Sequence, residues 1–234
     1  MAEARRGPQP LWAGRPQRAD LLCWGGLVLS GLYGLVLTPL KPLLIGRPLL
    51  LELVGGSMSA MVTAGAYARV GRASLVLALL AGIPGSMMFD PLYWWAGRRW
   101  GRRVVHLFAG VGRRRERALA RAERLFHRYG PAAIVLGYFL PIPVTIIYAF
   151  AGWSGMRLRT FVLLDLCGTL LWVGTLVGLG YWIGHSAVTA ADTVAHYGLL
   201  ISIVLIVVVV GPSLWRMRAA APGAEPAPVP EQGS

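Results

Sequence analysis

Gly137-Tyr138-Phe139-Leu140-Pro141-Ile142-Pro143-Val144-Thr145 sits in the middle of an apolar run from Pro131 to Gly152. The run is about long enough to cross a bilayer. Its two prolines, one residue apart, each remove a backbone donor and clash with the preceding turn. In hydrocarbon, broken backbone persists only where protein buries it or where it lines a watery cavity. Residues 131–152 therefore read as a re-entrant segment that turns near Pro141 and Pro143 and leaves on the side it entered. A Pro-kinked spanning helix is the alternative, and the two readings put the C-terminus on opposite membrane faces.

The rest of the chain supports a membrane setting. Of its 234 residues 56% are hydrophobic and 14% charged, well below the roughly 25% charged usual in soluble domains. Several apolar runs approach 20 residues, so one all-α integral membrane domain is expected over 21–218. The net charge of +13 comes almost wholly from arginine, with Lys41 the single lysine. These arginines lie between membrane runs, where orientation explains them better than nucleic acid does. Cys23 and Cys167 both fall in apolar segments, which supports neither a disulfide framework nor a CxxC motif. His106, His127, His185 and His196 lack zinc-ligand spacing, so neither a metal nor a cofactor is expected.

In chain order, residues 1–20 read as a disordered cytoplasmic tail followed by a signal-anchor-like span from about Leu21 to Leu40. Gly25, Gly26, Gly31 and Gly34 offer that span a close-packing face. Residues 43–67 are apolar but broken by Pro48 and Gly55-Gly56 and carry Glu52, and they read as a second re-entrant or interfacial segment. A span follows from Ala73 to Ala96. Eleven arginines then crowd the stretch 98–128, where Ala118, Leu119, Ala122, Leu125, Phe126 and Tyr129 recur at helical spacing. That pattern predicts an amphipathic helix on an anionic cytoplasmic leaflet, or a solvated loop with no lipid role. Thr160 to Gly184 reads as a span with two GxxxG patterns, Gly174/Gly178 and Gly180/Gly184. A loop over 185–196, a last run from Tyr197 to Trp215 and a disordered tail at 219–234 complete the chain. With both broken segments returning to their own side, the N-terminal, 98–128, 157–159 and 216–218 arginines all fall inside. Lys41, Arg47, Arg69 and Arg72 then face out.

A shift of 87 residues lays one broken-segment-plus-span unit on another. It matches Ala64-Gly65 to Ala151-Gly152, Arg72 to Arg159, Trp95 to Trp182 and Gly97 to Gly184, among eight identities across residues 64–97. Each unit contains one crossing, so the copies are expected to be inverted. That architecture, with broken helices meeting near mid-depth, belongs to secondary transporters.

Asp90 to Gly97-Arg98-Arg99-Trp100-Gly101 follows a pattern like Asp-x-x-x-Tyr-Trp-x-Gly-Arg-Arg-x-Gly, with Tyr93-Trp94 shifted by one. After it come the arginine-rich stretch, Tyr129-Gly130, the broken segment, Ala151-Gly152 and Gly180-Tyr181-Trp182-Ile183-Gly184. Over roughly residues 40–190 this order resembles the DedA family, which shares the VTT or SNARE-associated membrane domain. The resemblance implies a lipid flippase or scramblase for phospholipid or polyprenyl phosphate, proton-coupled in some members; the arginine placement predicts a cell-membrane setting with both termini cytoplasmic. The family's broken segment usually reads Gly-Arg-Phe-Ile-Pro-Gly-x-Arg-Thr. Here Tyr138 and Val144 stand in place of its arginines, and Met58 stands where an acid is usual.

A carboxylate at membrane depth is costly, which makes Glu52, Asp90 and Asp165 candidate ion- or proton-binding groups, Glu52 foremost because it lies in a broken segment. Asp90 could instead pair with Arg98 or Arg99, and Asp165 could bond a neighbouring helix. Tyr138, Thr145 and Tyr148 offer hydroxyls to a headgroup, with Pro141 and Pro143 shaping the turn. Membrane lipids are the expected partners. A non-catalytic assembly protein is the competing class, and a lipid-phosphate-processing enzyme a third, disfavoured by the scattered histidines.

Overall fold

Prolines and glycines set most of the helix boundaries. The structure is a computed structural model that describes residues 17–109, 113–204 and 207. The terminal arginines Arg5, Arg6, Arg15, Arg216 and Arg218, the tail at 219–234 and most of the last apolar run lie outside the described residues.

Helix α1 (Arg18–Leu44) carries Asp20 in its first turn, where the helix dipole favours an acid. The carboxylate accepts the Gln17 N–H at 2.9 Å. Residues 18–20 are thus helical rather than part of a disordered tail. Pro48 opens α2 (Pro48–Gly55), where its missing donor has no partner to lose. The chain breaks at Gly56, whose N–H returns to the Glu52 carbonyl, and resumes as α3 (Met58–Arg69). Helices α4 (Leu75–Met87) and α5 (Asp90–Trp100) form one 26-residue rod despite Pro84 and Pro91. Arg98 and Arg99 end that rod, so the arginine-rich stretch proper starts at α6 (Arg102–Ala109) and continues as α7 (Arg113–Tyr129).

A short 3₁₀ turn leads into α8 (Ala133–Gly137). Pro141 and Pro143 then hold 138–143 out of helix until α9 (Val144–Trp153). Across this break the Tyr138 and Tyr148 hydroxyls meet at 2.8 Å, and a methyl on Gly137 would press on Ile147 Cδ1. The chain therefore doubles back on itself. Helix α10 (Leu158–Ile183) is again 26 residues long, and α11 (His185–His196) occupies what reads in sequence as a loop. Arg18–Leu44, Leu75–Trp100 and Leu158–Ile183 are long and apolar enough to cross a membrane. A fourth candidate joins α11 to Gly198–Val204 across a 64° bend. The chain is an all-α membrane protein.

Packing between these rods is reciprocal. A methyl on Gly65 (α3) would land on the Val177 carbonyl of α10, and one on Gly180 would land on that of Val62. Likewise a methyl on Gly152 (α9) would land on the Trp94 carbonyl of α5, and one on Gly97 on that of Ala149. Each arm thus packs antiparallel against the rod of the other unit, closely enough that only hydrogen fits. The correspondence is 87 residues for the arms (62 to 149, 65 to 152) but 83 for the rods (94 to 177, 97 to 180). At 83 the rods coincide end to end, and both stop at a glycine of matching left-handed conformation, Gly101 at φ 56°, ψ −136° and Gly184 at φ 61°, ψ −120°. The sequence alignment of Gly97 with Gly184 and Trp95 with Trp182 is therefore one helical turn out. Four residues is close to the 3.6-residue period, so the hydropathy pattern looks almost the same in either register.

Several glycines read as packing faces have no such role among the described residues. Gly25, Gly31, Gly34, Gly174 and Gly178 would meet nothing within 4 Å, whereas Gly26 sits against Leu92.

Candidate functional site

The α4–α5 rod and α10 cross antiparallel. A methyl on Gly82 would come within 2.8 Å of Val173, and Asp90 faces Asp165. The crossing falls at the middle of both rods, and both acids lie within about two helical turns of it.

Asp165 is fully buried. Its Oδ1 accepts hydrogen bonds from the Tyr148 hydroxyl at 2.6 Å and the Tyr138 hydroxyl at 3.0 Å. Tyr138 is also 2.7 Å from Thr169 Oγ1, one turn further along α10. Asp165 Oδ2 has no hydrogen-bond donor among the described residues. The Asp90 carboxyl lies close enough to Asp165 and Tyr148 to interact electrostatically with both.

Local sequence explains the placement. Gly168 has no side chain, so the Tyr138 ring lies directly on α10, where a methyl would come within 2.9 Å of it. Tyr148 is wedged edge-on against Phe161, with ring centres 5.2 Å apart. The proline break lets Tyr138 and Tyr148, ten residues apart, point at the same carboxylate.

The matched position on the other side of this crossing is apolar. Shifting Tyr148 by 87 and Phe161, Asp165 and Asp90 by 83 gives Met61, Ala78, Gly82 and Val173. Met61, Ala78 and Val173 form one buried cluster. Polar chemistry is thus present at one of two structurally matched positions.

Of the residues read from sequence, Asp90, Tyr138 and Asp165 come together. Pro141 and Pro143 are exposed at the turn, and Thr145 is half-buried with no hydrogen-bond partner among the described residues. Glu52 stands apart, its backbone carbonyl against Gly85. Both Glu52 carboxyl oxygens are buried without a hydrogen-bond partner among the described residues. Tyr148, read as a hydroxyl open to a headgroup, is instead sealed inside the network. Among the described residues Asp90 forms no ion pair with Arg98 or Arg99, and Arg99 turns to Asp20 instead.

That last contact was not legible from the sequence. Asp20 accepts from Arg99 through both carboxylate oxygens and from Trp100 Nε1 at 3.0 Å, tying the start of α1 to the end of α5. An acid directly before an apolar run was the available signal. Asp20→Ala is expected to lower the unfolding temperature of the purified protein more than Arg99→Ala, since it also strands the Trp100 N–H; equal values would show that Trp100 contributes nothing.

A bundle of apolar rods, two broken segments packed reciprocally on them and a buried polar network define a multi-pass membrane protein. The chain belongs to the VTT-domain (DedA) family, whose profile matches residues 54–182, more than half of it. It is 27% identical over 108 residues to membrane protein YbfM of Bacillus subtilis (strain 168), covering 46% of this chain and 67% of that one. It is 33% identical over 103 residues to inner membrane protein YqjA of Escherichia coli (strain K12), covering 42% and 47%. To membrane protein Rv2637 of Mycobacterium tuberculosis (strain ATCC 25618 / H37Rv) it is 29% identical over 129 residues, covering 53% and 58%. The chain thus spans about half to two thirds of the length of these relatives. No solved structure matches it.

Proposed function

We propose that this protein moves lipids across its membrane, as a flippase or scramblase for phospholipid or polyprenyl phosphate, with proton coupling through its buried acids. The carrying observation is the Asp90–Asp165–Tyr138–Tyr148 network, set where a broken segment meets the crossing of two spans. Intramembrane acids beside broken helices are the usual marks of a substrate or ion path. The reciprocal packing fits two inverted units, each a re-entrant segment plus a span. The activity proposed is movement without bond-breaking. Among the histidines, His127 lies on α7 while His185 and His196 bound α11, and none of these hydrogen-bonds to the network.

Reconstitution into liposomes tests the reading. Headgroup exposure of a labelled phospholipid or polyprenyl phosphate is expected to exceed that of empty vesicles and to respond to a pH gradient. Rates equal to empty vesicles for every such lipid would sink it.

The setting proposed is an inner membrane with both termini cytoplasmic. Single cysteines at positions 70 and 190 are then labelled from outside, and one at 155 only from inside. Labelling of 70 and 155 from the same face would overturn this topology.

A second reading has its own support. Asp165 and Tyr148 are fully buried, so the same network would also serve an assembly protein by pinning the doubled-back segment to α10.

A further inference from the structure

The segment from Pro131 to Trp153 contains no lysine or arginine. The cations beside its turn come from another element. Arg121, Arg124 and Arg128 recur at helical spacing along one face of α7 and, with Leu125, Tyr129 and residues 140–142, line a groove of about 530 Å³. All three arginines are exposed, and none has a carboxylate within 4.0 Å among the described residues. Arg124 Nε is used by the Ala120 carbonyl, which leaves its terminal nitrogens available. The Arg128 guanidinium lies 5.5 Å from the centre of the Tyr129 ring, a contact that leaves its N–H groups free. The wall opposite the arginines is Leu140, Pro141 and Ile142, and it continues into Phe139, itself 48% exposed.

We propose that this groove binds the phosphate of an anionic membrane phospholipid, held by Arg121, Arg124 and Arg128, with its acyl chains along the turn of the broken segment. Three guanidinium forks supply charge-assisted donors that suit phosphate geometry. The apolar wall suits hydrocarbon and offers nothing to a free phosphate ion. A soluble anion would gain from the arginines alone, whereas a lipid gains from both walls. The inference rests on the transport reading for its purpose, because it places a headgroup beside the broken segment, but binding is measured without transport.

The test is native mass spectrometry of the full chain, released from detergent micelles holding equal phosphatidylglycerol and phosphatidylcholine. The wild type is expected to retain phosphatidylglycerol about tenfold over phosphatidylcholine. The triple variant Arg121→Gln/Arg124→Gln/Arg128→Gln is expected to fall to near parity with its unfolding temperature preserved. Arg157→Gln/Arg159→Gln, which removes two cations elsewhere, is expected to keep the preference. Millimolar inorganic phosphate is expected not to displace the lipid. Parity in the wild type, an undiminished preference in the triple variant, or full displacement by inorganic phosphate each overturns the proposal, the last by assigning the groove to free anions. A wild type that moves lipid yet shows no headgroup preference overturns this inference and leaves the transport reading standing. A wild type that retains phosphatidylglycerol but moves no lipid supports the groove and counts against transport.

Discussion

A valine at Gly97 or at Gly180 is expected to remove the folded protein from detergent extracts of the membrane. At both positions the first added carbon would overlap a backbone carbonyl, that of Ala149 or of Val62. A backbone oxygen inside a helix cannot swing away as a side-chain tip can, so the arm and the rod must separate. Overpacking an ordinary core costs about 1–3 kcal/mol where side chains can yield. Here the neighbour is rigid, and separating the helices also loses contacts along the whole arm. Such a loss is a large fraction of the roughly 5–15 kcal/mol that holds a typical protein folded. Gly174→Val and Gly178→Val serve as controls on the same helix. Neither glycine has a neighbour within 4 Å among the described residues, so their substitutions are expected to change stability by no more than about 0.5 kcal/mol. A monodisperse, wild-type-like elution peak and melting curve for Gly97→Val would show that the reciprocal packing is not what the fold depends on.

That contrast also shows where sequence reading succeeds and where it stops. The break at Pro141 and Pro143 is legible because proline acts locally, through its own ring and missing donor. The amphipathic character of α7 is legible because arginine and apolar residues alternate at a single period. The role of a glycine is a different matter. Gly174-x-x-x-Gly178 and Gly180-x-x-x-Gly184 look alike in sequence, yet among the described residues neither glycine of the first pair has a neighbour within 4 Å, while Gly180 has the tightest contact of the helix's glycines. Which face of a rod meets a partner depends on residues over a hundred positions away, such as Val62. The repeat was visible but misregistered over the rods, since a slip of about one turn preserves hydropathy. The loop expected at 185–196 is helical; it is rich in alanine, a strong helix former, and begins directly after Gly184. Asp165 was legible as an intramembrane acid. Its partnership with Tyr148 was not, because the fold-back that joins them is set by the break between the two tyrosines.

Replacing each buried acid by leucine is expected to move stability in opposite directions at Asp165 and Glu52. Asp165→Leu takes the shared acceptor from the Tyr148 and Tyr138 hydroxyls, leaving them only each other and Thr169, and removes the carboxyl that faces Asp90. Each buried hydrogen bond lost costs about 1 kcal/mol, and melting is expected several degrees below wild type. Glu52 has the same burial but, among the described residues, no partner for either oxygen. Glu52→Leu removes an unsatisfied polar group and strands nothing, so the protein is expected to gain about 1–3 kcal/mol. A polar group kept at a cost to stability is what a working site looks like. The stabilised Glu52→Leu protein is therefore expected to lose lipid movement in liposomes. Asp165→Asn completes the comparison, because an amide still accepts from the tyrosines but cannot exchange a proton. It is expected to melt near wild type and to move lipid at least about tenfold more slowly, since the carboxyl itself is the group a proton-linked path requires. If Asp165→Asn and Glu52→Leu both move lipid at the wild-type rate, the acids only hold the structure together. If Glu52→Leu melts below wild type, its carboxyl has a partner in the folded protein and the opposition between the two sites disappears.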